Sequence, residues 1–349
     1  MFRCHYEQVL QIKSGLISTL KIPTWQRLRK LTALTSLAGI LISCCPQTTI
    51  SISGAGASFP ALIYDRWFYN LRTQGFKVNY QSTGSGTGIR QFIIGTVDFA
   101  ASDTLIDKKK IKKITQGLIQ VPMTSSAIGV AYNLPGCKLE LTQIQLVKIF
   151  QGSIKNFKEL NCKEQPITIV YRAESSGTTF NFTKNLSRIS KSWKKSPGTG
   201  KTISWPIGIG SKGSEGVAST IEQMKGALGY SEMSHIRGKL QAASLENGSG
   251  KFIQPNSETV IQAIESVTST KNLLGHEASP TVGYPIVAFT WIFLAKRNED
   301  NKIDILKRVF SYMLSPKAQK QAVELGYVSL PIPILKQATQ IVNSIGRNL

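Results

Sequence analysis

Three glycine-rich turns constrain this chain more than anything else in it. They are Gly54-Ala55-Gly56-Ala57-Ser58-Phe59-Pro60, Gly84-Ser85-Gly86-Thr87-Gly88 and Arg172-Ala173-Glu174-Ser175-Ser176-Gly177-Thr178-Thr179. Each follows a run with strand character and opens a run with helical spacing. A chain that turns from strand to helix in this way is an α/β protein with mainly parallel sheets. The spacing predicts strands at 49–53, 76–81, 96–101, 118–121, 127–132, 167–171, 227–231 and 284–294. Helices are expected at 60–75, 87–94, 108–115, 142–150, 178–186, 215–226, 258–268, 302–314, 316–325 and 334–345. The Gly-, Ser-, Lys- and Pro-rich stretch 187–213 reads as a long surface loop. No repeat of 20–50 residues is visible.

The turns also carry chemistry. Each places a hydroxyl side chain and backbone N–H groups where a helix begins, and a helix start has partial positive charge and unpaired donors. Three such starts, with Arg172 and a carboxylate close by in sequence, describe a cage for a small tetrahedral oxyanion. In open α/β sheets ligands sit beyond the carboxyl ends of the strands, where all three turns lie.

The formal net charge is +22 over 349 residues. Residues 1–43 hold six basic residues and one acid, so +17 remains without them. The lysines are scattered apart from Lys108-Lys109-Lys110 and Lys112-Lys113, and no nucleic-acid-binding motif with interleaved aromatics or zinc-finger spacing is present. The charge reads as a solvated basic face with long-range attraction for small anions, and no nucleic-acid partner is expected.

At the N-terminus, Arg27, Arg29 and Lys30 precede an apolar run from Leu31 to Ser43. It is short for a bilayer span and suits a signal-peptide core. Leu41-Ile42-Ser43-Cys44 resembles the bacterial lipobox, which implies cleavage after residue 43 and lipidation of Cys44, with 44–49 as a tether. Cleavage a few residues later is the alternative, and the charged leader 1–25 is longer than a typical one. Export implies an oxidising compartment, where Cys137 and Cys162 can pair; two buried thiols are the other reading.

The first and third turns, together with Val97-Asp98-Phe99-Ala100-Ala101-Ser102-Asp103, Trp205-Pro206-Ile207-Gly208 and Gly226-Ala227-Leu228-Gly229-Tyr230, resemble the phosphate-binding protein of the bacterial phosphate-specific ABC transporter. The match runs in one order from about residue 51 to the C-terminal region. It implies a two-lobed periplasmic binding protein fold of type II, with mixed, mainly parallel sheets and a hinge. Lobe 1 would hold 50–123 and 284–349, and lobe 2 would hold 127–280. The hinge would lie at 124–126 and 281–283. The implied ligand is inorganic phosphate, and the implied partner a transmembrane permease. A lipid-anchored monomer at the cell surface or in the periplasm, with no cofactor and no metal, is expected.

Carried onto this sequence, the resemblance implies hydroxyl donors at Ser58 and Ser85 and a backbone N–H at Phe59. Arg172 would clamp phosphate oxygens through its planar fork. Ser176, Gly177 and Thr178 would supply donors from a helix start. Asp103 would accept the proton that phosphate still carries near neutral pH. Sulfate has no such proton and would set two acceptors face to face. Glu174 stands where the family usually has aspartate and would orient Arg172.

Two rival classes remain. One is a binding protein for another oxyanion such as arsenate. The other is a secreted phosphatase. A metallophosphatase needs clustered His and Asp ligands, whereas His5, His235 and His276 lack partners at ligand spacing and read as surface residues. Thr83-Gly84-Ser85-Gly86-Thr87 only approaches a hydrolase elbow, with no His to complete a triad. The chain is therefore read as a binding protein and not an enzyme.

Overall fold

The computed structural model describes residues 51–268, 280–297 and 300–346. The leader, the tether, Cys44, His5 and His276 lie outside them. In chain order the first part runs β1 (Ser51–Gly56), α1 (Ala61–Arg72), β2 (Lys77–Ser82), α2 (Ser85–Ile93), β3 (Phe99–Ser102), α3 (Lys108–Ile111) and β4 (Leu118–Tyr132). Then come β5 (Glu140–Leu141), α4 (Gln143–Phe150), β6 (Thr168–Arg172), α5 (Gly177–Ile189), α6 (Lys191–Lys195), β7 (Ile209–Ser211), α7 (Gly213–Gln223) and β8 (Ala227–Glu232). The chain continues through β9 (Gln241–Ala242), β10 (Ser244–Glu246), β11 (Phe252–Ile253), α8 (Ser257–Thr268) and β12 (Val287–Ala295). It closes with α9 (Asp300–Met313), α10 (Pro316–Glu324) and α11 (Ile332–Asn343).

One sheet, in the order β2-β1-β3-β12-β4-β8-β6-β7, runs through the molecule. Its wings are parallel: β1 pairs with β2 and β3, and β6 with β7 and β8. Its middle is antiparallel, because β12 pairs with β3 and β4, and β4 with β8. A parallel wing needs crossover helices, and these cover its faces with apolar side chains. One wing is filled by Tyr64, Trp67, Phe68, Tyr80, Phe99 and Phe310. The other is filled by Phe150, Phe182, Trp205 and Tyr230, with the Phe182 and Tyr230 rings stacked 4.3 Å apart.

The 15-residue β4 joins the wings. It pairs with β12 up to Ala127 and with β8 from Ile128 onward. Sequence reading expects two strands here. Pro122 and the hydroxyl run Thr124-Ser125-Ser126 interrupt the apolar pattern, yet the strand continues. Pro122 has no N–H to donate, and the ladder shifts register between Thr290 and Trp291 opposite it, as a bulge accommodates a proline. The three hydroxyl residues are buried. Thr124 and Ser125 donate to the Val328 carbonyl, and Ser126 donates to Glu232. The change of partner falls between Ala127 and Ile128, just after the segment 124–126.

Two other expectations need correction. The helix expected at 108–115 is a single turn, α3, capped by Asp107; a run of five lysines in six residues repels itself along a longer helix. The stretch 187–213 is more than a surface loop. It contains α6 and β7, and Trp193 is fully buried with its indole N–H donating to the Gly198 carbonyl. Trp193, with Ile189, Ile203, Trp205 and Ile207 packed against the core, anchors a polar segment.

Cys137 and Cys162 are joined as a disulfide, with Cα atoms 5.4 Å apart.

Candidate functional site

The three turns meet at one place, because β1, β2 and β6 all end there, and β3 ends beside them. At the end of β1, Gly56 has φ of 151°, a conformation that side chains rarely adopt, and a Cβ would lie 2.0 Å from the Ala101 carbonyl oxygen. The bend delivers Ser58 and Phe59. Phe59 puts its ring in the core, and its carbonyl accepts from the Tyr327 hydroxyl at 2.8 Å. Ser85 opens α2, Asp103 follows β3, and Arg172 ends β6. Ser176 is the N-cap of α5, accepting from the Thr179 N–H at 3.2 Å.

Sequence reading puts Ser58, Phe59, Ser85 and Asp103 on one side and 172–178 on the other. The structure joins the two sets directly. The Gly177 N–H donates to Ser85 Oγ at 3.1 Å, and Thr178 Oγ1 donates to Asp103 Oδ2 at 3.1 Å. Arg172 Nη2 donates to Ser58 Oγ at 2.6 Å. A Cβ on Gly177 would lie 2.7 Å from Ser85 Oγ and 2.9 Å from Asp103 Oδ2, so only glycine lets α5 come this close. Ser58, Ser85, Asp103, Arg172, Ser176 and Thr178 are all buried.

Every N–H of Arg172 has a partner. Nε and one Nη2 proton go to Glu174 Oε1, which is 2.7 Å from Nε. The second Nη2 proton goes to Ser58, and the two Nη1 protons go to Thr178 Oγ1 and Ser214 Oγ, each at 3.1 Å. Glu174 is itself fixed by the Gly213 N–H, which donates to Oε2 at 3.2 Å. The longer arm of glutamate still reaches the guanidinium, so Glu174 orients Arg172 from within the protein and not as an exposed ion pair. Its charge opposes that of the guanidinium.

Asp103 is the opposite case. Burial pushes its carboxyl up to about 7, against the downward pull of the Arg172 charge and the Thr178 hydrogen bond. Oδ2 is occupied by Thr178, but Oδ1 is enclosed and has no hydrogen-bond partner. A buried acceptor without a donor costs about 1–3 kcal/mol, and such an atom points to a missing donor. Glu174 opposes Arg172, Asp103 is partly ionised, and Lys201, whose pKa burial lowers to about 8, sets a further positive charge near Asp103. N–H dipoles and helix starts add to the attraction for an anion.

Some residues sit differently from the sequence reading. The Ser176 hydroxyl is a helix cap, and its N–H donates to the Lys201 carbonyl at 2.9 Å. His235, expected on the surface, is half-buried, and its enclosed Nε2 has no partner. Burial, with the charges of Arg172 and Arg237, holds its pKa down to about 4. Among the described residues, no group of His, Cys, Asp and Glu could hold a metal ion. No helix of the described residues is long and apolar enough to cross a membrane.

One residue absent from the sequence reading joins the cluster. Ser214, at the start of α7, is fully buried and touches both Ser58 and Arg172. Its signal, Lys212-Gly213-Ser214-Glu215, is a fourth Gly-hydroxyl turn before a helix. The strand before it, β7, has only three residues, too short to be seen in a polar segment.

Comparison with known proteins gives a consistent result. The family model of the PBP superfamily domain matches residues 45–317. A protein named phosphate-binding protein PstS from Xylella fastidiosa (strain Temecula1) is 37% identical over 314 residues, covering 83% of this chain and 84% of its own length. A protein of the same name from Pasteurella multocida (strain Pm70) is 36% identical over 343 residues, covering 90% of this chain and 98% of its own. Among solved structures, a high affinity periplasmic phosphate-binding protein, PfluDING, determined with bound phosphate, superimposes with a TM-score of 0.71 at 22% identity. That match covers 86% of this chain and all of the other. The two-lobed α/β architecture of the periplasmic binding proteins is thus the architecture of this chain. The chain belongs to the PBP superfamily and, within it, to the family of phosphate-binding proteins named PstS.

Proposed function

We propose that this member of the PstS family binds inorganic phosphate outside the cytoplasmic membrane and delivers it to an ABC permease for import. The observation that carries the reading is Asp103 Oδ1, a buried carboxylate oxygen without a donor, set beside a fully oriented guanidinium. Hydrogen phosphate brings the donor that this oxygen lacks. Its other oxygens are acceptors for the Arg172 fork, the Ser58 and Ser85 hydroxyls, the Phe59 N–H, and the donors of Ser176, Gly177 and Thr178 at the α5 start. Charge-assisted bonds are stronger than neutral ones, so phosphate oxygens displace hydroxyl oxygens from the Nη protons. Glu174 keeps its two, and the fork stays in plane. Closing the lobes strips water from the anion and strengthens each bond.

The names of the relatives support the transport role, and so does the implied signal peptide with lipidation at Cys44. We place the protein in the periplasm or at the cell surface, anchored by lipid, as a monomer that performs no chemistry on its ligand. Arsenate carries the same proton as phosphate, and Asp103 does not discriminate between them.

Isothermal calorimetry with phosphate, arsenate and sulfate, run beside a chromogenic phosphate-ester assay, tests this. Phosphate is expected to bind at micromolar concentration or below, sulfate not to bind, and the ester to remain intact. Absence of phosphate binding, or metal-dependent ester turnover, would overturn the reading.

A further inference from the structure

We infer that Ser214 is a further residue of the anion site, and that the Ser58–Ser214 pair, as the ligand-free site holds it, presents a hydrogen-bond donor and no acceptor to an incoming ligand. The inference rests on the phosphate reading above and adds a residue to it.

A serine hydroxyl has one proton to give and two lone pairs to receive. Ser58 Oγ receives the Arg172 Nη2 proton at 2.6 Å and the Ser214 backbone proton at 2.9 Å. Both donors are N–H groups, so neither bond can run the other way. The lone pairs of Ser58 are full. The two hydroxyl oxygens lie 3.3 Å apart, and geometry alone does not say which donates. Because Ser58 has no lone pair left, Ser58 is the donor and Ser214 the acceptor.

Ser214 Oγ then receives from Ser58 and, at 3.1 Å, from Arg172 Nη1. Its lone pairs are full as well. One proton in the pair remains unassigned, and it is the hydroxyl proton of Ser214. The pair therefore offers a donor and no acceptor. An anion oxygen that takes an Nη proton for itself leaves the Ser214 N–H in place behind Ser58, so the Ser58 hydroxyl still has a fixed donor at its back. The arrangement is complementary to a ligand whose oxygens are nearly all acceptors.

Ser214 is held where this requires. It is fully buried, it lies in the first turn of the 11-residue helix α7, and its carbonyl accepts from Ser231 Oγ on β8 at 3.3 Å. The Gly213 N–H next to it fixes Glu174, so one turn sets both the carboxylate and the hydroxyl that flank Arg172. Thr178 completes the contrast. It receives from Arg172 Nη1 and spends its proton on Asp103. The site thus separates its functions: Asp103 Oδ1 accepts, and Ser58 with Ser214 donates.

The test compares wild type, Ser214→Ala and Ser214→Thr by phosphate calorimetry, with the thermal midpoint of the ligand-free protein as a control. Loss of one bond to a charged partner predicts a Kd for Ser214→Ala about tenfold weaker than wild type. Ser214→Thr should restore most of the affinity, and the ligand-free midpoint should not fall with it. A Kd for Ser214→Ala equal to that of wild type would overturn the inference while leaving phosphate binding intact. Wild type that ignores phosphate would overturn the reading beneath it. A crystal structure of wild type with phosphate is the second measurement. Ser214 Oγ is expected at hydrogen-bond distance from a phosphate oxygen. A Ser214 hydroxyl out of hydrogen-bond reach of every phosphate oxygen would overturn the inference even if the alanine variant failed to fold.

Discussion

Among the described residues two carboxyl groups are buried, Asp103 in the site and Glu232 at the change of partner along β4, and the molecule treats them differently. Burial pushes both up to about 7. Glu232 is surrounded by donors: Ser126 Oγ and the Ser234 N–H go to Oε1, and Ser234 Oγ goes to Oε2. Asp103 has one donor on Oδ2 and none on Oδ1. The same burial thus yields a fastener in one place and an incomplete contact in the other. Perturbed titration does not separate the two carboxyls; the unfilled oxygen does.

The largest expected effect breaks this contrast in the site. In Asp103→Asn, the amide oxygen can keep the Thr178 bond while the NH₂ takes the place of Oδ1. The position then donates where it had accepted. The gap between phosphate and sulfate affinity should narrow by about 100-fold or more, since one repulsive acceptor pair becomes a bond. Glu232→Gln should leave that gap unchanged. Calorimetry on both variants checks the pair. A sulfate gap unmoved in Asp103→Asn would remove the account of selectivity.

Next comes the fastener itself. Glu232→Ala leaves Ser126 and Ser234 without their acceptor and should cost about 2 kcal/mol of folding stability, whereas Asp103→Ala should cost far less in the ligand-free protein. Urea unfolding distinguishes the two. Equal losses would mean that Asp103 is as well satisfied as Glu232.

The smallest effect is in pH dependence. Both carboxyls titrate higher in the folded chain than in the unfolded one, so the folded state holds the extra protons between about pH 4 and pH 7. Their contribution to stability is complete below the unfolded values and is lost as pH rises through 7. For each group the loss is at most a few kcal/mol and on the order of 1 kcal/mol after relaxation. Ligand-free Asp103→Asn should therefore gain on wild type as pH rises from about 5 to about 8. A gap that shrinks over that range would reverse the sign of the argument.

Much of this was legible in the sequence because the turns are chemically specific. Glycine, a hydroxyl and a following helix leave few alternatives, and Ser58, Ser85, Asp103, Arg172 and Thr178 fall together as the resemblance implies. Other features were hidden for physical reasons. Ser214 sits behind a strand too short to show a period. The run Thr124-Ser125-Ser126 looks like a break in a strand, and only distant partners, Val328 and Glu232, make it a buried continuation. Glu232 carries no local sign of burial, because its donors come from a neighbouring strand and the turn after it. Local rules locate elements and caps; long-range pairing decides which polar residues can be buried.

On this reading Asp103 Oδ1 awaits the proton of the ligand. The most direct measurement is a crystal structure of the protein with phosphate. The account predicts a phosphate oxygen within about 2.7 Å of Asp103 Oδ1, as expected for an O–H donor to a carboxylate, with Arg172 still held by Glu174. A bound phosphate whose nearest contact to Asp103 exceeded hydrogen-bond distance, or an Asp103 side chain turned to another donor, would contradict it.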